Sequence, residues 1–154
     1  MRVWRIDRLS STDKLSGIGG LYASGRWHRR GYRIIYTAST PSLAELETLA
    51  HYAPQQAPEE RSLLEIDVPD DIAIENCDPL SLTLDWKRVN PYPAELQDFG
   101  SQWLDECRTA LLSVPSVVMA IEKNYLINPN HNDTSRIRIV DEKPFSFDLR
   151  LLKT

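Results

Sequence analysis

Cysteine is scarce in this chain of 154 residues: Cys77 and Cys107 stand far apart, outside any CxxC pattern. That spacing offers no disulfide framework and fits reduced thiols in a reducing compartment. The three histidines, His28, His51 and His131, form neither an HxxxH nor an HExxH pattern, so no metal site is expected. Long apolar runs are missing too. The longest, Leu111-Leu112 and Val117 to Ile121, fall far below a bilayer span, and the opening Met1-Arg2-Val3-Trp4-Arg5 leads into charge rather than a secretory apolar stretch. The expected location is the cytoplasm, with no membrane partner. An excess of positive charge is also lacking. A formal net charge of −4 gives no long-range attraction for nucleic acid, so none is expected as a direct ligand. GxSxG, Walker and GxGxxG motifs are absent, which leaves serine-hydrolase, P-loop and Rossmann readings without their signatures.

What is present is the composition of an ordinary globular chain, 42% hydrophobic and 26% charged, in one domain over 1–154. Val3 to Asp7 alternates as a short strand, and Gly17, Gly19, Gly20 and Gly25 form a loop ahead of Gly25-Arg26-Trp27-His28. A second strand is expected over 32–37. Pro41 to Ala53 reads as a helix, capped by Thr40 or Ser42, with Glu45 completing a capping box and Pro54 stopping it. Leu64, Ile66 and Val68 alternate with acidic residues as a strand, and 75–96 reads as a long connection. Phe99, Trp103, Cys107, Ala110 and Leu111 recur at helical spacing, which predicts an amphipathic helix over 98–112. The run Val117 to Ile121 predicts a central strand, Asn128 to His131 a turn, and Phe145 to Leu151 a closing strand. The sum is a mixed α+β domain with more strand than helix.

Four positions stand out chemically. Glu47 shares one face of the 41–53 helix with Leu43, Leu46 and Ala50, whereas Glu45 lies opposite. A carboxylate on a buried face needs a cationic partner, a shifted pKa or a cleft; a salt bridge to Arg26 or Arg33 and a functional carboxylate both satisfy that need. The cluster Arg26, Arg29, Arg30 and Arg33 follows the glycine loop and suits phosphate through its planar forks. A solvated loop is the plain alternative. Tyr36 ends a strand and Ser116 follows Pro115, places where packing or backbone satisfaction is the common role.

Taken in order, Arg26 in GRW, Tyr36 in IIYTAS, Glu47 in LAELETLAH, Ser116 in VPSVV and then NYLINPNH resemble the RES domain, over roughly residues 1–152. His28 stands where that family often has asparagine, and Asn132 where proline is common. The resemblance implies a compact ADP-ribosyltransferase-like fold, with small mixed sheets flanked by helices around an NAD cleft. It further implies a toxin that cleaves the nicotinamide–ribose bond of NAD as substrate, with no other cofactor, or that transfers ADP-ribose to a protein. The implied partner is an Xre-type helix-turn-helix antitoxin, with a homo-oligomer or a larger complex left open. In this reading Glu47 stabilises the oxocarbenium-like centre, Arg26 clamps phosphates or ribose, Tyr36 stacks on nicotinamide, and Ser116 fixes ribose or carboxylate. Two other classes remain: an RNA-directed toxin using the arginine loop with His28 or His131, and a non-catalytic interaction domain.

Overall fold

A computed structural model describes residues 1–53 and 60–152. The expected helix stop at Pro54 and the last two residues of the 1–154 domain lie outside them. Among these described residues seven strands form a mixed sheet in the order β4-β5-β6-β2-β1-β3-β7: β1 Arg2–Arg8, β2 Ile35–Ala38, β3 Arg61–Asp67, β4 Ile74–Asn76, β5 Leu111–Pro115, β6 Lys123–Ile127 and β7 Arg138–Phe145. Among the described residues only β4 and β5 run parallel, every other pair being antiparallel, and there are two α-helices, α1, Pro41–Ala50, and α2, Ala94–Glu106.

The sheet is continuous through a narrow joint. β1 pairs with β3 along all its residues, but it meets β2 at one position, Trp4 opposite Ala38. Two small sheets, β4-β5-β6-β2 and β1-β3-β7, therefore part from one another at that joint. Alternation along the strands sends Val3, Ile35, Leu64, Ile66, Leu111 and Ile127 to one core. Leu112, Val114 and Leu126 face the other way, against Leu96, Trp103 and Leu104 of α2. Leu43 and Ala44 of α1 pack on Ile6 and Ala38, so both helices cover the same face of the sheet.

Local chemistry sets the helix ends. Thr40, not Ser42, is the N-cap of α1, accepting the Leu43 N–H at 3.1 Å. With Thr40 as the cap the third helical position is Leu43, so Glu45 cannot complete the expected capping box; the Thr40 hydroxyl proton goes to Glu122 Oε2 at 2.8 Å. Helix α2 ends at Cys107, whose φ of 47° reverses the chain. Leu111, expected in that helix, instead begins β5. Gly100 lets α2 reach the GRW loop, because a Cβ there would stand 1.8 Å from the Trp27 carbonyl oxygen.

The largest departure from the sequence pattern is Val117 to Ile121, expected as a central strand. It is the turn between β5 and β6, with Val118, Met119 and Ile121 exposed. Backbone bonds Ser116 N–H to Glu122 O and Glu122 N–H to Met119 O close it, and Ser116 Oγ accepts the Met119 N–H. Satisfied backbone groups outweigh the apolar run. The 75–96 connection contains β4, a short 3-10 turn over Pro79–Ser81 and the buried Trp86. The closing strand lies earlier than expected, at Arg138–Phe145, followed by a 3-10 turn over Leu149–Leu152. No helix among the described residues is long and apolar enough to cross a membrane.

Candidate active site

Where β1 and β2 part, a cleft of about 840 Å³ opens, lined by residues of β1, the glycine loop, β2, α1 and the β5–β6 turn. Arg26, Tyr36 and Glu47 all line it, and Ser116 stands directly behind Glu47. The four positions singled out in the sequence converge, although the shortest separation among them along the chain is ten residues.

Glu47 is half-buried on the cleft side of α1 rather than in the core. The salt bridge to Arg26 or Arg33 does not form. Neutral donors take its place: Ser116 Oγ–H donates to Oε1 at 2.7 Å and Asn124 Nδ2–H to the same oxygen at 2.6 Å. Ser116 is fully buried, and its acceptance of the Met119 N–H at 3.0 Å commits the hydroxyl proton to Glu47. Among the described residues Oε2 has no hydrogen-bond partner. Glu45, by contrast, lines no part of the cleft.

Arg26 points inward. Its Nη1 donates to the carbonyl oxygens of Trp86 at 2.5 Å and Arg88 at 2.8 Å, and the guanidinium lies 5.0 Å above the Tyr92 ring. Burial lowers its pKa, with the Tyr92 and Glu47 charges acting against that shift; arginine nonetheless stays charged at neutral pH. The rest of the cluster disperses. Arg29 pairs with Asp98 at 2.5 Å, Arg33 donates to the Ser16 carbonyl at 3.2 Å, and Arg30 is exposed. A single phosphate grip built from all four arginines is therefore not what the fold assembles.

Tyr36 is held by the loop it faces. The Trp27 N–H donates to its hydroxyl at 3.3 Å, and the hydroxyl lies 2.8 Å from His28 Nδ1. His28 Nε2 is 2.9 Å from the Ala23 carbonyl, which only accepts. The ring proton thus sits on Nε2, and Nδ1 accepts from Tyr36. Burial pushes the Tyr36 phenol up and the His28 imidazole down, which keeps both neutral. Gly25 makes room, since a Cβ there would meet the Tyr36 hydroxyl at 2.7 Å. From behind, Gln97 of α2 donates to the Gly25 carbonyl at 2.9 Å and Ser101 Oγ accepts the Arg29 N–H at 3.0 Å.

The sequence reading passed over Asn124 and Tyr92. Asn124 opens the NYLINPNH segment, and its signal was strand parity: it shares a face with Leu126, which pairs with Tyr36. Tyr92 had no such signal, since it sits in an irregular segment that only folding brings under Arg26. The two histidines offered for RNA chemistry do not meet at the cleft. His28 is buried with both nitrogens engaged, and His131, whose Nδ1 accepts the Asp133 N–H at 3.1 Å, lies outside the cleft lining. Both cysteines are free thiols, and burial pushes Cys77 up to about 12. Among the described residues no cluster of metal-ligating side chains occurs.

The RES-domain family profile matches residues 2–148. A protein of a Sphingobium species named "Prs ADP-ribosylating toxin" is 39% identical over 155 residues, covering 97% of this chain and 96% of its own. A Pseudomonas putida protein named "Toxin Res" is 37% identical over 150 residues, covering 95% and 98%. Among solved structures, a chain of the Mycobacterium tuberculosis MbcT–MbcA toxin–antitoxin complex superimposes with a TM-score of 0.76. At 18% identity, over 94% of this chain and 84% of that one, it establishes the shared fold.

Proposed function

Because the chain belongs to the RES-domain family, we propose that it is the toxin of a toxin–antitoxin pair and cleaves the nicotinamide–ribose bond of NAD in the β1–β2 cleft. The observation that carries this reading is Glu47, a half-buried carboxylate anchored through Oε1 that, among the described residues, has no salt bridge and leaves Oε2 without a partner at the cleft wall. As the glycosidic bond breaks, positive charge develops on the ribose ring. A fixed carboxylate beside it stabilises that charge without reorganising at the moment of reaction. The same group can hold a ribose hydroxyl or orient the nucleophile.

Arg26 supplies the cation at the cleft for the diphosphate or ribose, through the guanidinium nitrogens that its loop contacts leave over. The Tyr36 ring offers a face for nicotinamide, with its hydroxyl already committed to His28. Ser116 serves the carboxylate rather than the ribose, since its proton points to Glu47. The dispersed arginines and engaged histidines argue against an RNA substrate. A non-catalytic domain has no use for this convergence.

The ADP-ribose acceptor is water or phosphate in a consuming toxin and a side chain in a modifying one. The Sphingobium relative's name favours the second; both share the same first bond cleavage. Purified protein incubated with NAD, with and without phosphate, and analysed by mass spectrometry identifies the product. Glu47→Gln should keep the fold and lose turnover by about 10²–10³, while Glu45→Gln leaves it unchanged. Equal losses in both variants at unchanged melting temperature would overturn the assignment to Glu47, and absence of nicotinamide release by the unmutated protein would overturn the NAD reading.

A further inference from the structure

We propose that Asn124 is a positioning residue for Glu47: with Ser116 it clasps Oε1 from the strand side, so that Oε2 alone is presented to the substrate. The inference rests on Glu47 being the catalytic carboxylate, and it adds a residue and an atom-level assignment to that reading. Its basis is geometric. Two donors from different strand ends converge on one oxygen, Ser116 Oγ at 2.7 Å from the end of β5 and Asn124 Nδ2 at 2.6 Å from β6. Two hydrogen bonds of different direction to one oxygen fix both the rotation and the tilt of a carboxylate; one bond would leave it free to swing.

Asn124 is held in turn on both sides of its strand. It pairs with Val114 of β5 and Ala38 of β2, so its backbone cannot shift without disturbing three strands. Its other side-chain atom supports the assignment. Asn124 Oδ1 is buried and, among the described residues, has no hydrogen-bond partner. A buried unsatisfied acceptor opposes folding, and turning the amide to relieve it would set Oδ1 against the Glu47 carboxylate. The Nδ2–H contact with Glu47 is thus the contribution of the side chain that offsets the cost. The charged and titratable neighbours of Glu47 lie elsewhere: Arg26 interacts with it electrostatically, and His51 Nδ1 bonds its backbone carbonyl at 2.8 Å. Neither is hydrogen-bonded to Asn124, so a change at Asn124 reads out its own bond.

The test compares Asn124→Ala and the near-isosteric Asn124→Asp with the unmutated protein. The first readout, independent of NAD, is the side-chain amide pair of Asn124 in ¹⁵N-correlated NMR spectra. One proton should lie downfield of the ordinary amide range, and it should return in Glu47→Ala. The second is the pH profile of kcat/KM for NAD. Removing one donor to a carboxylate weakens its ionised form, so the acidic limb should move up by about one pH unit in Asn124→Ala. There kcat should fall roughly tenfold with KM within about twofold. Asn124→Asp should move the limb further, because two carboxylates then share the contact. An ordinary amide shift unaffected by Glu47→Ala, or an unmoved acidic limb with kcat within twofold, would overturn the role of Asn124. If Glu47→Gln itself retains NAD cleavage, the failure lies in the catalytic reading instead.

Discussion

At the scale of single residues the site depends on which atoms remain uncommitted. Arg26 illustrates it: one terminal nitrogen holds two carbonyls of the 86–88 segment while the fork still reaches the cleft. Arg26→Lys keeps the charge but cannot do both, because an ammonium lacks the planar fork. The expected outcome is loss of NAD turnover together with faster hydrogen exchange around Trp86. Arg29→Lys, at an exposed pair with Asp98, should change neither. Full activity in Arg26→Lys would move the clamp to another cation of the cleft. His28 gives a second residue-scale expectation. Burial holds its folded pKa below the ordinary value of 6.5, so the unfolded chain binds the proton more readily. Its contribution to stability is therefore complete above about pH 6.5 and declines as the pH falls below it. Melting temperature measured between about pH 5 and 8 should drop on the acid side, with a shallower slope in His28→Asn. An equal slope in that variant would assign the acid sensitivity to other groups.

Elements matter here through their ends and joints. The β5–β6 turn carries Ser116, which seats Glu47, and its Val118, Met119 and Ile121 face outward because local hydrogen bonds leave the run no partner strand. Ile121 is 92% exposed and Leu126 is fully buried, although both belong to apolar stretches. Ile121→Lys should accordingly change the free energy of urea unfolding by no more than about 0.5 kcal/mol. Leu126→Ala should cost about 2–5 kcal/mol, the range for removing a core leucine. A large loss in Ile121→Lys would mean that 117–121 is packed after all. The joint between β1 and β2 matters equally. One residue pair unites the two half-sheets, and Arg5 Nη1 donates across the gap to the Tyr36 carbonyl at 3.1 Å, so the cleft has rigid walls without a continuous ladder beneath it.

For the whole molecule, the proposed NAD cleavage would call for restraint by a partner. The cleft mouth includes the exposed Tyr22, Val89 and Val118, apolar side chains beside the cationic Arg26. An antitoxin that covers this mouth competes with substrate, whether or not it is of the Xre type. Its affinity for the inactive Glu47→Gln variant, measured by calorimetry at rising NAD, should fall as the cleft fills. Affinity unchanged at saturating NAD would place inhibition on another surface.

Sequence alone determined the identity of the parts: an α+β domain, the α1 helix starting at Pro41, the alternation of β1 and β3, and Arg26, Tyr36, Glu47 and Ser116 as the residues to watch. Those are properties of local pattern and motif order, which a linear chain carries openly. Whether Val117 to Ile121 becomes strand or turn was not among them, because its periodicity is compatible with both and the outcome lies in bonds to Glu122. Nor was the partner of Glu47. A helical wheel shows that the carboxylate faces inward, but it cannot show that inward is a cleft, or that neutral donors 69 and 77 residues away, rather than an arginine, hold it. Asn124 and Tyr92 enter the site only through pairing across strands and through the path of an irregular loop. Long-range contacts of that kind are decided by tertiary packing, since the energy that selects them comes from burying surfaces far apart along the chain.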